Sequence, residues 1–438
     1  KTKHNEVALA QHEMAPVYAT ANVATDHNQL TMEIMKKVAD KHGLVCLLHE
    51  KPFAGVNGSG KHNNWSLTTK SGINLFRPGS HPEKNLKFLL FFMAVIKAVD
   101  EYQDLIRISV ASAGNDHRLG GNEAPPAILS MYIGDDLQEL LEDIANGTKY
   151  EVHKQNMMDL GVKQIPKFKQ DTTDRNRTSP FAFTGNKFEL RMLGSSASIS
   201  GCNTTLNTIV AKELDDFYDA LKDSDNLESD AYDLIAETYK QHKRIIFNGN
   251  GYSEEWEKEA ERRGLHNLKT TPDALDAMLE IKNIEVFEKY GIYTEEELRA
   301  RYEIFNENYC KVIGIEALTM ASMIRRKILP SVLEYQKSIA ELIETKSQIS
   351  FDCSTEKDIL KSISENTTLM YTYLEELEKF IAQKDGSFDD EHAKSQFYKD
   401  SLLGNMEKLR TVVDKLESAV SSDYWPVPTY AEMLYSVI

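Results

Sequence analysis

Long apolar stretches are missing from this chain of 438 residues. The most apolar stretch, residues 86–99, is interrupted by Lys87 and Lys97. It falls short of the roughly 18 apolar residues that a membrane-spanning helix needs. No signal-peptide pattern follows Lys1. The sequence therefore predicts a soluble, cytoplasmic protein without a membrane partner.

Basic side chains are fewer than acidic ones. The chain has 51 Lys and Arg and 68 Asp and Glu, which gives a formal net charge of −17. Proteins that bind nucleic acid or anionic lipid usually carry the opposite balance, so no nucleic-acid partner is expected. The hydrophobic content of 41% and the charged content of 27% are ordinary for a globular protein. The length suffices for one large or two ordinary domains.

Cysteine is also scarce. The four cysteines, Cys46, Cys202, Cys310 and Cys353, are scattered along the chain and form no Cys-x-x-Cys pair. Such spacing gives neither a disulfide framework nor a zinc site. It suits the reducing environment of the cytoplasm.

Residues 51–66 are the most informative stretch and read Lys-Pro-Phe-Ala-Gly-Val-Asn-Gly-Ser-Gly-Lys-His-Asn-Asn-Trp-Ser. Gly55 to Lys61 nearly satisfies the P-loop pattern G-x-x-x-x-G-K-[ST], but His62 replaces the hydroxyl residue. A P-loop also opens a helix, so that backbone N–H groups face the phosphate. The β-favouring residues here predict a strand from about Trp65 instead. The loop is therefore not a P-loop.

Hydrophobic periodicity predicts a mixed first half. The expected elements are a helix over 28–42, a short buried strand over 44–48, a helix over 82–102, a strand at 131–133, a helix over 135–146 and a polar insert over 150–176. The alternation of Phe188, Leu190 and Met192 predicts a further strand that carries Glu189 and Arg191 on its other face.

Helical patterns dominate from about Leu206 to residue 420, with breaks predicted at 248–251, 271–272 and 385–386. Pro330 lies inside the apolar pattern of residues 313–343, which predicts a kink or a break there. Heptads do not run uninterrupted, so an antiparallel bundle that packs against itself is favoured over a coiled-coil partner site.

Several motifs, in one order, resemble those of the glutamine synthetases. Residues 57–62 reproduce the family's Asn-Gly-Ser-Gly-x-His loop, and residues 4–13 look like its His-x-Glu…Gln-x-Glu metal segment. Residues 118–125 look like its glutamate flap, residues 176–179 like its nucleotide arginine and residues 188–191 like its metal-glutamate strand. The loops and the long helical extension most resemble the large bacterial type III enzymes.

The resemblance implies an α+β fold. Residues 1–300 would form the catalytic domain, an antiparallel sheet lined by metal ligands with helices outside, and residues 301–438 a helical C-terminal module. The implied activity is ATP-dependent ligation of ammonia to L-glutamate through γ-glutamyl phosphate. ATP and Mg²⁺ or Mn²⁺ are the implied cofactors. Glutamate, ammonium and ATP are the substrates, and the chain would assemble into a homo-oligomer of stacked rings.

Four side chains form the implied metal set: Glu6, Glu13, His62 and Glu189. In the family, the counterparts of the first two serve one ion and those of the last two serve the other. Oxygen ligands suit Mg²⁺, and Mn²⁺ tolerates imidazole more readily. Glu189 also lies between apolar neighbours on a predicted strand, where a carboxylate needs a partner or a metal.

The resemblance also assigns the amino-acid pocket and the catalytic pair. Asn57 and Gly58 would bind the substrate, and Arg118 would bind the glutamate carboxylate with its bidentate fork. Arg191 is a phosphate or substrate contact. Glu123, in the flap, would hold ammonium, accept a proton and exclude water; Arg118 and Glu123 are the catalytic residues.

His4, Ser66 and Arg177 are the implied nucleotide contacts. The family's second nucleotide arginine falls near Ala182 in an ungapped alignment, so it is absent or shifted here. Many relatives carry a second histidine where this chain has Asn64, which puts the role of that position in doubt.

Two other classes of function stay open. A γ-glutamyl-amine or glutamate–cysteine ligase would keep the metals and change the acceptor pocket. A non-catalytic regulatory relative is the second, although the intact motif residues argue against decay.

The family's N-terminal β-grasp domain, its ammonium-binding aspartate and a Glu-x-Glu pair have no counterpart before Glu6. The expectation is therefore that the chain is a fragment. On that view it binds nucleotide weakly, does not turn over alone and associates through exposed surface and sheet edge.

Overall fold

The computed structural model describes residues 10–51, 55–121, 124–148, 178–383, 387–428 and 432, and the backbone alone of 2–5, 157–158 and 168–169. The chain divides into two compact units, Lys1–Arg299 and Ala300–Ile438. No helix in the part of the chain so described is long and apolar enough to span a bilayer.

The first unit combines strands with helices, which is the predicted α+β class. Its strands are β1 (Thr2–Asn5), β2 (His12–Ala15), β3 (Gly60–Trp65), β4 (Met131–Tyr132), β5 (Met157–Met158), β6 (Phe168–Lys169), β7 (Phe181–Phe183) and β8 (Phe188–Gly194). Its helices are α1 (Ala21–Lys41), α2 (Leu86–Glu101), α3 (Gln103–Ser109), α4 (Ala113–Asp116), α5 (Asp135–Asn146), α6 (Ser200–Leu221), α7 (Leu227–His242), α8 (Glu254–Arg262), α9 (Thr271–Leu275) and α10 (Ile281–Lys289).

A four-stranded sheet with the order β3-β8-β7-β4 forms the centre of this unit. The β3–β8 and β7–β8 pairs are antiparallel, as expected, but β4 at the edge runs parallel to β7. A parallel pair requires a long connection, and the chain between β4 and β7 includes α5. Two further pairs, β1–β2 and β5–β6, are antiparallel.

One face of the sheet carries an aromatic core. The ring of Phe188 lies 5.1 Å from that of Phe181 and 5.6 Å from that of Phe92 on α2. The predicted alternation in β8 is confirmed, because Phe188, Leu190 and Met192 are buried while the residues between them are only half-buried. Burying each large apolar side chain contributes about 1.5–3 kcal/mol, so this face fixes which side chains of β8 point away from it.

The sequence places some boundaries incorrectly. The strand expected from about Trp65 begins at Gly60 and ends at Trp65. Residues 44–48 are not a buried strand, since Leu44 and Val45 are 64% and 83% exposed and no strand forms there. A short apolar run has no periodicity that would distinguish a buried strand from an exposed segment.

The second unit is helical. It comprises most of α11 (Glu295–Met323), followed by α12 (Leu329–Gln348), α13 (Ser354–Ile381), α14 (Glu391–Phe397) and α15 (Gly404–Ala419). Its core includes the stripe Ile363, Thr367, Met370, Leu374 and Leu377 on α13, which packs against α12 and α15. Spacings of three and four residues keep these side chains on one face of the helix.

A π-helical turn, Ile324–Ile328, ends just before Pro330, where the sequence predicts a kink or break. Proline cannot donate to the helical ladder, and a wider turn before it accommodates the missing bond. The break predicted at 385–386 lies outside the described residues, as does the insert at 150–176 apart from the backbone of β5 and β6.

Candidate active site

Strand β3 is anchored to α6 by its alternate side chains. Asn63 Nδ2 donates to Asn203 Oδ1 at 2.9 Å, and Trp65 Nε1 donates to Asn207 Oδ1 at 2.9 Å. The two acceptors lie one turn apart on α6, so they match every second residue of the strand. Side chains alternate along a strand, and His62 therefore faces away from α6.

His62 and Glu189 meet on this open face of the sheet. His62 Nδ1 lies 3.3 Å from Glu189 Oε1, and the two side chains are 36% and 21% exposed. The ladder is irregular at this point, because two residues of β8 lie opposite His62 alone. Such a bulge re-aims side chains beside it. It brings an imidazole and a carboxylate together where solvent or a ligand can reach both.

The loop before β3 is held closed by the residues that begin it. Ser59 N–H donates to the Glu50 carbonyl at 2.9 Å, and the Lys51 ammonium donates to the Val56 carbonyl. A methyl group on Gly58 would lie 2.6 Å from the Glu50 carbonyl oxygen. Only glycine permits this approach of two backbone segments.

Arg118 is buried at 4% exposure behind this loop. Its Nη2 donates to the Arg191 carbonyl at 3.1 Å, its Nη1 lies 3.4 Å from the Leu193 carbonyl, and its Cζ lies 2.4 Å from where a methyl group on Gly60 would sit. Burial lowers the pKa of Arg118 to about 10, and the negative charge of Glu50 opposes this shift. The guanidinium therefore remains charged at neutral pH.

Glu50 is a site residue that the sequence does not single out. It is 2% exposed, and its Oε1 accepts hydrogen bonds from Ser196 N at 3.2 Å and Ser196 Oγ at 2.7 Å. Methyl groups on Gly114 and Gly194 would lie 2.6 Å and 2.4 Å from its carboxylate oxygens. In the sequence, Glu50 is marked only by its position, as a single carboxylate between the apolar residues 44–48 and the glycine loop.

Lys61 lies on the α6 side of β3. Its ammonium donates to the Ala197 carbonyl and lies 3.1 Å from Met32 Sδ. Burial lowers the pKa of Lys61 to about 8, and the negative charge of Glu50 opposes this shift. Glu50 is thus a negative charge that acts on two cations, half-buried Lys61 and buried Arg118.

Ser66, which is predicted to contact nucleotide, stabilises the turn between β7 and β8. Its Oγ donates to the Asn186 carbonyl at 2.9 Å and accepts from Asn74 Nδ2 at 2.9 Å. These bonds tie the end of β3 to the turn between β7 and β8. A nucleotide contact by Ser66 stays a prediction.

The hairpin β1–β2 places His4 directly opposite Glu13 in register. The side chain of His4 and the whole of Glu6 lie outside the described residues. Among the side chains that are described, no three of His, Cys, Asp and Glu group closely enough to hold a metal ion. Among these described side chains, Glu13 therefore does not form a three-residue metal group with His62 and Glu189.

Asn57 and Gly58 are half-buried in the glycine loop, and Gly58 lies against the backbone of Glu50. Glu123 and Arg177 lie outside the described residues. Ala182, at the position of the family's second nucleotide arginine, pairs with Glu189 across β7 and β8 and is fully buried. A longer side chain there would have to fit within a packed sheet.

Comparison with known sequences points to one family. A family model described as "Glutamine synthetase, catalytic domain" matches residues 1–128, and one described as "Glutamine synthetase C-terminal domain" matches residues 230–347. The first match includes the hairpin β1–β2, the glycine loop, His62 and Arg118. The second runs across the boundary between the two compact units.

Three curated relatives match essentially the whole chain. They are a "Glutamine synthetase" from Butyrivibrio fibrisolvens (48% identical, covering 100% of this chain and 63% of that protein), a "Type-3 glutamine synthetase" from Dictyostelium discoideum (45%, 99% and 60%) and a "Glutamine synthetase" from Bacteroides fragilis (39%, 100% and 62%). The chain thus spans 60–63% of the length of these relatives. On the two family models and these identities, the chain belongs to the glutamine synthetase family.

Proposed function

We propose that this chain supplies the active site of an enzyme that joins ammonia to L-glutamate at the expense of ATP. A γ-carboxylate oxygen of glutamate attacks the γ-phosphorus of ATP, and the bond to the β-phosphate oxygen breaks to release ADP. The nitrogen of ammonia then attacks the carbonyl carbon of γ-glutamyl phosphate. Phosphate leaves, a proton is lost from nitrogen, and glutamine remains. The observation that carries the proposal is the His62–Glu189 pair beside the closed glycine loop.

The donor set of this pair fits a divalent cation. Two ligands on adjacent vertices of an octahedral Mg²⁺ lie about 3 Å apart, and His62 Nδ1 and Glu189 Oε1 are 3.3 Å apart. Both side chains are part-exposed on the open face of the sheet. We propose that these two residues bind one Mg²⁺ or Mn²⁺ ion, and that Glu6 and Glu13 bind a second. When bound, the ions neutralise the phosphoryl oxygens.

The remaining residues take roles that their chemistry suits. Arg118, charged and buried, holds the glutamate α-carboxylate, and Asn57 and Gly58 line the amino-acid pocket. Arg191, on the same face as Glu189, contacts phosphate or substrate. Glu123 captures ammonium, accepts its proton and closes the flap against water, which would otherwise hydrolyse the acyl phosphate.

Nucleotide binding and assembly extend this proposal. His4, Ser66 and Arg177 contact ATP, residues 1–300 form the catalytic domain and residues 301–438 the helical module. The protein assembles into stacked rings of identical chains. It works in the cytoplasm, where the reducing environment suits four cysteines that form no disulfide.

The test is an assay of the protein expressed from its complete gene, with ATP, glutamate and Mg²⁺ or Mn²⁺. We expect glutamine from ammonium, and little product from methylamine or cysteine at equal concentration. A preference for either of those acceptors would replace the proposed reaction with a related ligation. No ATP-dependent product with any acceptor would contradict a catalytic role altogether.

A matched pair of variants then tests the site. His62→Ala should lower turnover by about 100-fold or more. Removing a residue that only supports a metal ligand costs about 10–100-fold, and removing a ligand should cost more. His81 makes the same kind of contact with Glu83, Nδ1 to Oε1 at 3.1 Å, at the start of a short helical turn, Pro82–Lys84. His81→Ala should leave turnover within about twofold. Equal effects of the two changes would remove His62 from the site.

A further inference from the structure

The buried carboxylate of Glu50 joins three segments of the chain. Its Oε1 accepts from the backbone and hydroxyl of Ser196, in the segment that follows β8. Gly114 at the start of α4 and Gly194 at the end of β8 come so close that a methyl group on either would displace the carboxylate. The carbonyl of Glu50 also accepts from Ser59 in the glycine loop. A single residue thus contacts the loop, the end of β8 and the helix that leads to Arg118.

Its charge matters as much as its contacts. Arg118 is buried beside a second guanidinium, that of Arg191, whose positive charge acts against it. Glu50 is the carboxylate whose charge favours the protonated form of Arg118, and it does the same for Lys61. Burying a charge without compensation is costly. Without this carboxylate, two neighbouring guanidinium groups would repel each other in a site of low polarity.

We propose that Glu50 is a positioning residue of the glutamate pocket, which fixes the glycine loop and Arg118 relative to each other through its buried negative charge and its bonds to Ser196. The proposal rests on the ligase function proposed above. Glu50 does not touch the reacting atoms. It acts through Arg118 and through the loop that carries Asn57 and Gly58.

Two effects of neutralising Glu50 oppose each other. Removing a negative charge strengthens the attraction between Arg118 and the substrate carboxylate. The same change releases Arg118 and the loop from their positions, and a misplacement of 1 Å is able to cost roughly 100-fold in rate. Because Arg118 already carries its charge in the wild-type protein, neutralising Glu50 adds little attraction, and the loss of position outweighs it.

The test uses the protein expressed from its complete gene and three variants. Glu50→Gln keeps an oxygen that accepts from Ser196 and removes the charge, whereas Ser196→Ala removes the hydroxyl donor and keeps the charge. Glu213→Gln is the matched control, because Glu213 is an equally buried carboxylate, 0% exposed, that binds Lys97 and Lys212 on the helical side of the unit.

Glu50→Gln should raise the KM for glutamate by about tenfold or more and leave the KM for ATP within about twofold. Ser196→Ala should shift the KM for glutamate in the same direction by less. Glu213→Gln should lower the melting temperature without changing the ratio of the two KM values. A Glu50→Gln enzyme with unchanged kinetics, or with both KM values raised equally, would overturn the positioning role.

Hydrogen–deuterium exchange separates this proposal from the ligase proposal. The backbone amides of residues 55–60 and 114–119 should exchange faster in Glu50→Gln than in Glu213→Gln. If the wild-type protein makes no glutamine, the ligase proposal fails, and this comparison together with calorimetric titration of L-glutamate decides the role of Glu50. Equal exchange in the two variants would overturn it whatever the activity.

Discussion

Gly60 provides the sharpest test of how the site is built, since two parts of the site meet at this residue. A methyl group there would lie 2.4 Å from Arg118 Cζ and 2.4 Å from the Leu193 carbonyl oxygen. Gly60 also pairs with Gly194 at the end of the β3–β8 ladder. Gly60→Ala must therefore displace Arg118, and it also pushes the backbone away from the Leu193 carbonyl, which weakens that pairing.

The cost follows from these contacts. Overpacking a tight site costs about 1–3 kcal/mol. Displacing Arg118 also weakens its bonds to the Arg191 and Leu193 carbonyls, and hydrogen bonds from a charged group are worth about 1.5–3 kcal/mol. One shift of the guanidinium produces both losses, so they overlap and the expected destabilisation is about 3 kcal/mol. For a unit of the size of Lys1–Arg299 the melting temperature should fall by roughly 5 °C.

The assay is thermal unfolding followed by far-UV circular dichroism, with the KM for glutamate measured on the same samples. Gly201→Ala is the control within the same unit, because a methyl group on Gly201 of α6 would meet nothing closer than the Ser109 carbonyl at 3.4 Å. It should leave the melting temperature unchanged or raise it slightly. A Gly60→Ala protein that melts within about 2 °C of the wild type, with an unchanged KM, would refute the packing described around Arg118.

Three further predictions concern single groups. Glu189→Gln should weaken Mn²⁺ binding by about 10–100-fold in calorimetric titration, since a neutral amide is a poorer ligand than a carboxylate; unchanged affinity would remove Glu189 from the metal site. Glu123→Ala should reduce glutamine formation more than ammonium-independent ADP release from ATP and glutamate, and equal losses would mean that it acts on substrate binding in general. Burial raises the pKa of the Cys202 thiol to about 12, so in the native protein at pH 8 a thiol reagent should modify half-buried Cys46 first and leave Cys202 intact until unfolding. Rapid modification of Cys202, with mass spectrometry locating the adduct, would contradict its burial.

The sequence by itself determined the candidate residues of the site and the elements with strong periodicity. The alternation in β8 reports directly which residues face the core, because an apolar residue at every second position leaves one arrangement of the strand. The same alternation puts Glu189 and Arg191 together on the opposite face of β8. The β-favouring residues after His62 likewise predicted that the glycine loop runs into a strand and not into a helix, although the strand, β3, begins at Gly60 and not at about Trp65.

Tertiary contacts decided what local patterns leave open. The exposed run at 44–48 has the composition of a buried strand, and only the surrounding structure determines whether such a run is covered. The parallel edge strand β4 depends on which strands pair across a long connection, which composition does not encode. These are properties of the whole unit.

Glu50 shows the difference most clearly. In the sequence it is one of 68 acidic residues, most of which are expected on the surface. In the structure it is buried between Gly114, Gly194 and Ser196, residues 64 to 146 positions away along the chain. Burial and charge pairing act through space, so the sequence could name candidate residues for the chemistry, but only the fold could reveal a buried carboxylate among them.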